Sequence, residues 1–195
     1  MIPGIRLIVM NQTKMVPMAR RAVTKLSAQS LYEYALRALA RRSHTLAELE
    51  AKLARRSDSE EDVSEILSRL RQHGYLDDER VAEAHSALRR DQALVGQKRV
   101  LAELRRRGVE ESLAEKAVTD AYRELDESDL ARQFLRRRFG SLAQGPPVDD
   151  RKVVLRLYRA LLRAGFEHSA VLDALHDVSS NDELLDQLAE ATAVG

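Results

Sequence analysis

The sequence contains no cysteine and no tryptophan, and aromatic residues make up only 4% of its 195 positions. Without cysteine there is no disulfide framework, no thiolate nucleophile and no cysteine-based zinc site. A core with so few rings must be built from Leu, Val, Ile and Ala, which favours many small helical contacts over a β-sandwich. No stretch approaches the roughly 20 apolar residues of a membrane span, and no secretory cleavage signal follows the first ten residues. We therefore predict a cytoplasmic protein without a membrane segment.

Catalytic motifs are missing as well. The chain has no GxxxxGK[ST] phosphate loop, no HExxH element and no GxSxG element. Its five histidines do not have the spacing of metal ligands. The acidic pair Asp77 and Asp78 precedes a predicted helix, where carboxylates usually serve as caps. These observations predict a protein that is not an enzyme and that needs no metal or cofactor.

Apolar residues recur at helical spacing from Leu31 onward. The spacing of a capping box recurs before three predicted helices, in the pairs Thr45 with Glu48, Ser57 with Glu60, and Ser112 with Glu115. The segment GQKRVLAELRRRGV, residues 96–109, is amphipathic and ends at a glycine, which turns left-handed at little cost because it lacks a Cβ atom. The pattern predicts an all-α protein.

The helical pattern also repeats along the chain. The apolar positions around Leu53 recur 51 residues later around Leu104, and 57 residues after that around Leu161. A small residue follows each of these segments at the same distance: Ser57, Gly108 and Gly165. The sequence therefore predicts tandem three-helix repeats that form an elongated, curved array.

The predicted boundaries follow from this register. A leader, 1–26, has no helical periodicity and is expected to be poorly ordered. Three-helix repeats follow at 27–76, 77–126 and 127–180, and a C-terminal helical tail at 181–195. The third repeat carries an inserted Gly/Pro loop at 140–150, where Pro146 and Pro147 cannot lie inside a helix.

Charge alternates along the chain although the net charge is only +1. Residues 1–56, 89–107 and 131–163 carry net charges of +8, +5 and +7, and the segments that follow them carry −6, −6 and −7. One interpretation is that such blocks merely solvate helices and pair with their neighbours. The alternative is that stacked repeats align the basic segments into a surface for a polyanion or an acidic protein groove.

The arginine-rich composition and the periodic recurrence of the basic segments favour the second interpretation, since arginine binds carboxylates and phosphates in a bidentate manner. The candidate partner-binding residues are Arg41, Arg42, Arg89, Arg90, Lys98, Arg99, Arg105, Arg106, Arg132 and Arg136.

Three motifs in a fixed order resemble a known family. They are LARRSHTLAELEAKL at residues 39–53, GYLDDERVAE at 74–83 and GQKRVLAELRRRGV at 96–109. In this order and with these gaps they resemble the RecX family, the bacterial regulators of the RecA recombinase. The resemblance covers residues 30–180, and the family is similarly built of tandem three-helix repeats.

The resemblance implies a regulator that acts by binding. Such a protein would lie on the RecA filament on single-stranded DNA and would mainly inhibit the RecA ATPase, filament extension and strand exchange. Direct contact with the DNA is a further option that the resemblance leaves open. We expect it to act as a monomer. Two alternatives stay open: a DNA-binding transcriptional regulator that resembles helix-turn-helix proteins, and a structural adaptor that binds no nucleic acid.

Overall fold

The computed structural model describes residues 25–143 and 145–193. Within these ranges it contains eleven helices: α1 (Ala28–Arg41), α2 (Leu46–Ala54), α3 (Glu60–Gln72), α4 (Asp78–Ala93), α5 (Gln97–Arg106), α6 (Glu111–Tyr122), α7 (Glu127–Arg138), α8 (Gly140–Ala143), α9 (Arg151–Ala164), α10 (His168–His176) and α11 (Asp182–Ala193). The only extended pairing in the described ranges is an isolated bridge between Val148 and Ser179. The prediction of an all-α fold is confirmed.

Local capping explains where most helices begin. Thr45 and Glu48 form the predicted capping box at the start of α2, with both reciprocal hydrogen bonds present. Two predicted N-caps, Ser57 and Ser112, are each wrong by two residues, because another side chain accepts the amides of the first helical turn. Ser59 caps α3, while the Ser57 hydroxyl accepts a bond from the Ser59 amide. Glu110 caps α6 through its carboxylate.

The inserted loop is more ordered than its proline pair suggests. Gly140–Ala143 forms the short helix α8, whose Leu142 and Ala143 amides both donate to Phe139 O directly after α7. The prediction of a loop over the whole of 140–150 is therefore wrong at its start. Farther along, Val148 N donates to Val178 O at 2.8 Å, which ties the loop to the end of α10.

Buried apolar side chains form two separate clusters. The first is confined to α1, α2, α3 and the following turn, with Leu31, Leu49, Leu53 and Leu70 at its centre. The second runs continuously from α4 to α11 and includes Leu104, Leu161 and Phe166. This division is consistent with the predicted tandem repeats, and we use the names first, second and third repeat for α1–α3, α4–α6 and α7–α10. The second and third of these groups share a core, so the first is attached by other contacts.

We call the contact between α2 and α5 the first joint. The end of α5 meets the first turn of α2, where Thr45 Oγ1 donates to Arg107 O at 2.6 Å. Leu46 N donates to Asp78 Oδ1 at 2.9 Å, so the start of α4 also caps α2. A Cβ atom on Gly108 would collide with Ala47 Cβ. Polar bonds and one close approach therefore attach the first repeat to the second.

The second joint, between α5 and α9, has the same design. Gly96 N donates to Ala164 O at 2.9 Å, and Lys98 N donates to Gly165 O at 3.1 Å. The first turn of α7 caps α5, since Glu127 Oε1 accepts from Gln97 N at 3.0 Å. Each joint thus brings the positive end of one middle helix to the negative end of the next, which is a favourable arrangement of helix dipoles.

The chain before α1 contacts the free end of α2. Leu26 N donates to Arg56 O at 2.8 Å, and Lys25 Nζ donates to Ser57 O at 2.7 Å and pairs with Asp58 at 2.9 Å. Residues 25 and 26, which the sequence assigns to a poorly ordered leader, therefore have defined partners. The rest of the predicted leader, 1–24, lies outside the described residues.

No helix in the described part of the chain combines the length and the apolar character that crossing a membrane requires.

Candidate interaction site

Most of the ten predicted contact residues are already paired within the protein. Seven of them have carboxylate partners: Arg42 with Glu48, Arg89 and Arg99 with Glu103, Arg90 with Asp91, Lys98 with Glu167, Arg105 with Glu111, and Arg132 with Asp129 and Asp177. Contact of these residues with a partner would compete with the existing ion pairs. The sequence pattern alone does not separate paired from free cations.

Glu103 organises the paired cations of the second repeat. Its carboxylate accepts two bonds of 2.7 Å from Arg89, one of 3.1 Å from Arg99 and one of 3.0 Å from His85. Burial alone would raise the pKa of Glu103, but the two guanidinium groups lower it. Arg99 also donates to Arg163 O across the second joint. Arg89 therefore connects α4 with α5, and Arg99 connects α5 with α9, so both have structural roles.

Glu48 has the corresponding role at the first joint. It accepts bonds from Arg107 Nε at 3.0 Å and from Arg42 Nη1 at 2.9 Å, while its side chain is only 20% exposed. Burial would raise the pKa of Glu48, but the bonds from Arg107 and Arg42 outweigh burial and lower it to about 2. Its charge is thus fully balanced by residues of the protein itself.

Three predicted residues remain free for a partner. Arg41, Arg106 and Arg136 are exposed, and their side chains have no ion-pair or hydrogen-bond partner in the described ranges. Arg41 is at the end of α1, Arg106 at the end of α5 and Arg136 near the end of α7.

The sequence prediction missed free cations that the repeat register could have located. Arg55 and Arg163 lie at the positions equivalent to Arg106 in the first and third repeats. Both side chains are exposed and have no side-chain partner among the described residues. The half-buried Lys52, one turn before Arg55, also has none. The prediction selected residues in dense arginine runs. Whether a cation has a carboxylate partner depends instead on tertiary contacts, which the runs do not show.

The free cations are concentrated around the first joint. A concavity of about 380 Å³ lies where α5 meets α2, and its lining includes Lys52, Arg55 and Arg106. A second concavity, of about 330 Å³, lies between α1 and α2 and includes Arg41. Arg42 and Lys52 line both, so the two concavities are contiguous. We call this surface the basic patch.

The concavity on the opposite side of α2 is apolar and acidic rather than basic. A concavity of about 910 Å³ between α2 and α3 has an apolar floor that includes Val63 and Leu67 and an acidic rim formed by Glu50, Asp58 and Glu60. Like charges would repel a polyanion there.

The single histidine near the basic patch is structural. His44 is 2% exposed, and its Nδ1 lies 2.9 Å from Arg42 O in the turn between α1 and α2. Burial lowers the pKa of His44, so the ring is neutral near pH 7. No three His, Asp or Glu side chains within the described ranges are grouped as metal ligands would be.

Two named bacterial proteins are similar to this chain in sequence. No family model matches it. A protein of Halorhodospira halophila named regulatory protein RecX is 38% identical over 159 residues, which cover 80% of this chain and 93% of that protein. A Deinococcus radiodurans protein of the same name is 35% identical, with 84% of this chain and 76% of the relative covered.

Solved structures agree with the fold. The crystal structure of RecX from Lactobacillus salivarius superposes with a TM-score of 0.61 at 20% identity and covers 83% of this chain and 96% of its own. A second crystal structure, of a regulatory protein RecX, superposes with a TM-score of 0.63 at 25% identity and covers 77% of this chain and 71% of its own. The identity and coverage shared with the two relatives show that the chain belongs to the RecX family of regulatory proteins.

Proposed function

We propose that this protein binds the RecA filament on single-stranded DNA and mainly inhibits the RecA ATPase, filament extension and strand exchange. The observation that carries this proposal is the 38% identity shared with a regulatory protein RecX along 93% of that relative. In this proposal the protein acts in the cytoplasm as a monomer and performs no chemistry. It works by occupying a surface that the filament needs for growth or turnover.

The free cations are the best candidates for the contact. Arg41, Arg106 and Arg136 can bind an anionic group without breaking an internal ion pair, so their binding free energy is not reduced by competition. A charge on the rim of an interface also accelerates association, and the effect weakens with salt. The seven paired candidates are expected to contribute mainly through stability.

The direct test is RecA-driven ATP hydrolysis on single-stranded DNA, measured while the purified protein is titrated. We expect hydrolysis to fall as the protein approaches the concentration of RecA, and to fall less at higher salt. Unchanged hydrolysis across the titration would refute the proposal.

A matched pair of variants tests the contact surface. Arg106→Glu should weaken the inhibition, because it reverses a free charge on the basic α5, whereas Arg71→Glu reverses a free, exposed arginine on the acidic α3 and should inhibit like the wild type. Circular dichroism should show equal helicity for both variants. Full inhibition by the Arg106 variant would exclude Arg106 from the contact surface.

A further inference from the structure

The basic patch has an excess of positive charge that the protein itself does not neutralise. Among the described residues, its two concavities are lined by eight arginine and lysine residues and by a single carboxylate, Glu48. Glu48 is already bonded to Arg107 and Arg42. The free cations of the patch, Arg41, Lys52, Arg55 and Arg106, therefore have no counter-charge within the part of the chain that the structure describes.

The free cations are spread over the two contiguous concavities. Lys52 lies in the last turn of α2 and Arg55 is the C-cap of that helix, about 4.5 Å farther along the helix axis. Arg106 lines one concavity together with both of them, and Arg41 lines the other together with Lys52. Cations spread over contiguous concavities suit a ligand that carries several negative charges along a chain.

The lining residues distinguish between the two common kinds of polyanion. Protein interfaces depend on apolar and aromatic anchors that fill pockets. Among the described residues that line the patch, the apolar side chains are alanines, and the only Phe, Tyr or Trp is Tyr34, whose ring is covered by the guanidinium of Arg56 at 4.5 Å from the ring centroid. The patch thus lacks the anchors with which a folded protein partner would be held.

The amide and hydroxyl side chains that read bases are missing from the described part of the lining too. Among the described residues, neither concavity is lined by Asn, Gln, Ser or Thr, and the Tyr34 ring is covered by Arg56 and packs against the first apolar cluster. Lysine and arginine side chains without such groups neutralise phosphates irrespective of sequence. The lining therefore favours the phosphodiester backbone as the bound polyanion, because binding it requires cations but no apolar anchors.

We propose that the basic patch at the first joint binds the phosphodiester backbone of a single nucleic-acid strand without sequence preference, through Arg41, Lys52, Arg55 and Arg106. The inference extends the proposed function, since a filament on single-stranded DNA contains such a strand. It is nevertheless testable in the absence of RecA, so the two proposals can fail separately.

The experiment is fluorescence anisotropy of a labelled oligothymidylate and of a mixed-sequence DNA strand of equal length, each titrated with the full chain at several salt concentrations. Lys52→Gln, Arg55→Gln and Arg106→Gln are combined in one variant. The control combines Arg71→Gln, Arg80→Gln and Arg159→Gln, which remove the same charge from exposed, free arginines outside the patch. Thermal unfolding followed by circular dichroism confirms that both variants fold.

We expect both strands to bind the wild type with similar affinity. The patch variant should bind roughly tenfold or more weakly at low salt, and its slope of log K against log salt should be smaller by about 2, because each single-strand phosphate contact contributes about 0.7. The control variant should stay close to the wild type.

Equal losses in the two variants would show a diffuse charge effect and overturn the proposal. Binding of the wild type to labelled polyglutamate, but not to DNA, would also overturn it and would identify an acidic protein segment as the ligand. Failure of RecA inhibition with intact strand binding would refute only the proposed function.

Discussion

The single side chain of Glu48 connects the N-terminus of α2 with the end of α1 and the end of α5. Its carboxylate accepts the Thr45 amide in the capping box of α2, binds Arg42 within the first repeat and binds Arg107 of the second. The bond to Arg107 spans 59 residues of sequence. Capping-box spacing predicts the first of these contacts. The others depend on how the repeats pack, which spacing does not encode.

We predict that Glu48 makes stability depend on acid pH. The folded-state pKa is about 2 against an ordinary value of 4.5, so the carboxylate stabilises the fold fully above 4.5 and loses its contribution as the pH falls toward 2. Glu48→Gln should lower the free energy of unfolding by about 3 kcal/mol at about pH 7, and by much less at about pH 2.

Urea unfolding at the two pH values measures this difference. Glu50→Gln, which replaces an exposed carboxyl on the same helix that has no ion pair among the described residues, is the control and should change stability by less than about 0.5 kcal/mol. Equal destabilisation by Glu48→Gln at both pH values would contradict the prediction.

At the scale of the element, the joints depend on two glycines that end middle helices. Gly108 and Gly165 have φ angles of +78° and +85°, and an added Cβ would also collide with Ala47 in one case and with the Arg99 backbone in the other. The sequence predicts the left-handed turn at Gly108. It does not predict the close approach, because that requires knowing which helix lies opposite.

Alanine substitutions separate the backbone strain at positive φ from the collision of the added Cβ with a neighbouring helix. Gly74 has a φ of +70° with open space around it, so Gly74→Ala should cost only the backbone strain of about 1 kcal/mol. Gly108→Ala should cost more, because Ala47 must also move, and Gly165→Ala should cost most, because its obstacle is backbone. Chemical denaturation gives the order, and equal costs at the three sites would rule out the steric role of the joints.

The helices themselves are largely predictable from the sequence. Apolar periodicity and caps place them because both are local properties of a few neighbouring residues. The pairing of cations is not local. Arg89 and Arg99 are predicted as contact residues on account of their charge, yet Glu103 binds both. Lys52 and Arg55 are overlooked although neither forms an ion pair with a carboxylate in the described part of the chain.

At the scale of the whole molecule, the separate cores imply unequal stability. The first repeat buries its apolar residues in a cluster of its own, whereas the second and third share one. Polar contacts at the first joint provide much of the remaining coupling. In an array of repeats, a unit with a weak interface opens separately from its neighbours.

Native-state hydrogen exchange should therefore show that α1, α2 and α3 open at a lower free energy than α9 and α10. Asp78→Ala removes the cap that α4 provides for Leu46 N, and should lower protection in the first repeat by about 1 kcal/mol. Asp173→Ala, which removes the bond to Ser128 Oγ inside the third repeat, is the control and should leave α1 to α3 unchanged. Uniform exchange across all repeats would show a single cooperative unit.

The contacts of Lys25 and Leu26 have a consequence for assembly. The carbonyls of Arg56, Arg107 and Ala164 end the three middle helices, and the last two receive the neighbouring repeat. The first accepts Leu26 N. A second copy of the chain would have to displace Leu26 from this acceptor in order to add through a copy of the joint. A head-to-tail contact that does not close would produce open-ended fibres, and the contacts of the two residues before α1 disfavour this route to polymerisation.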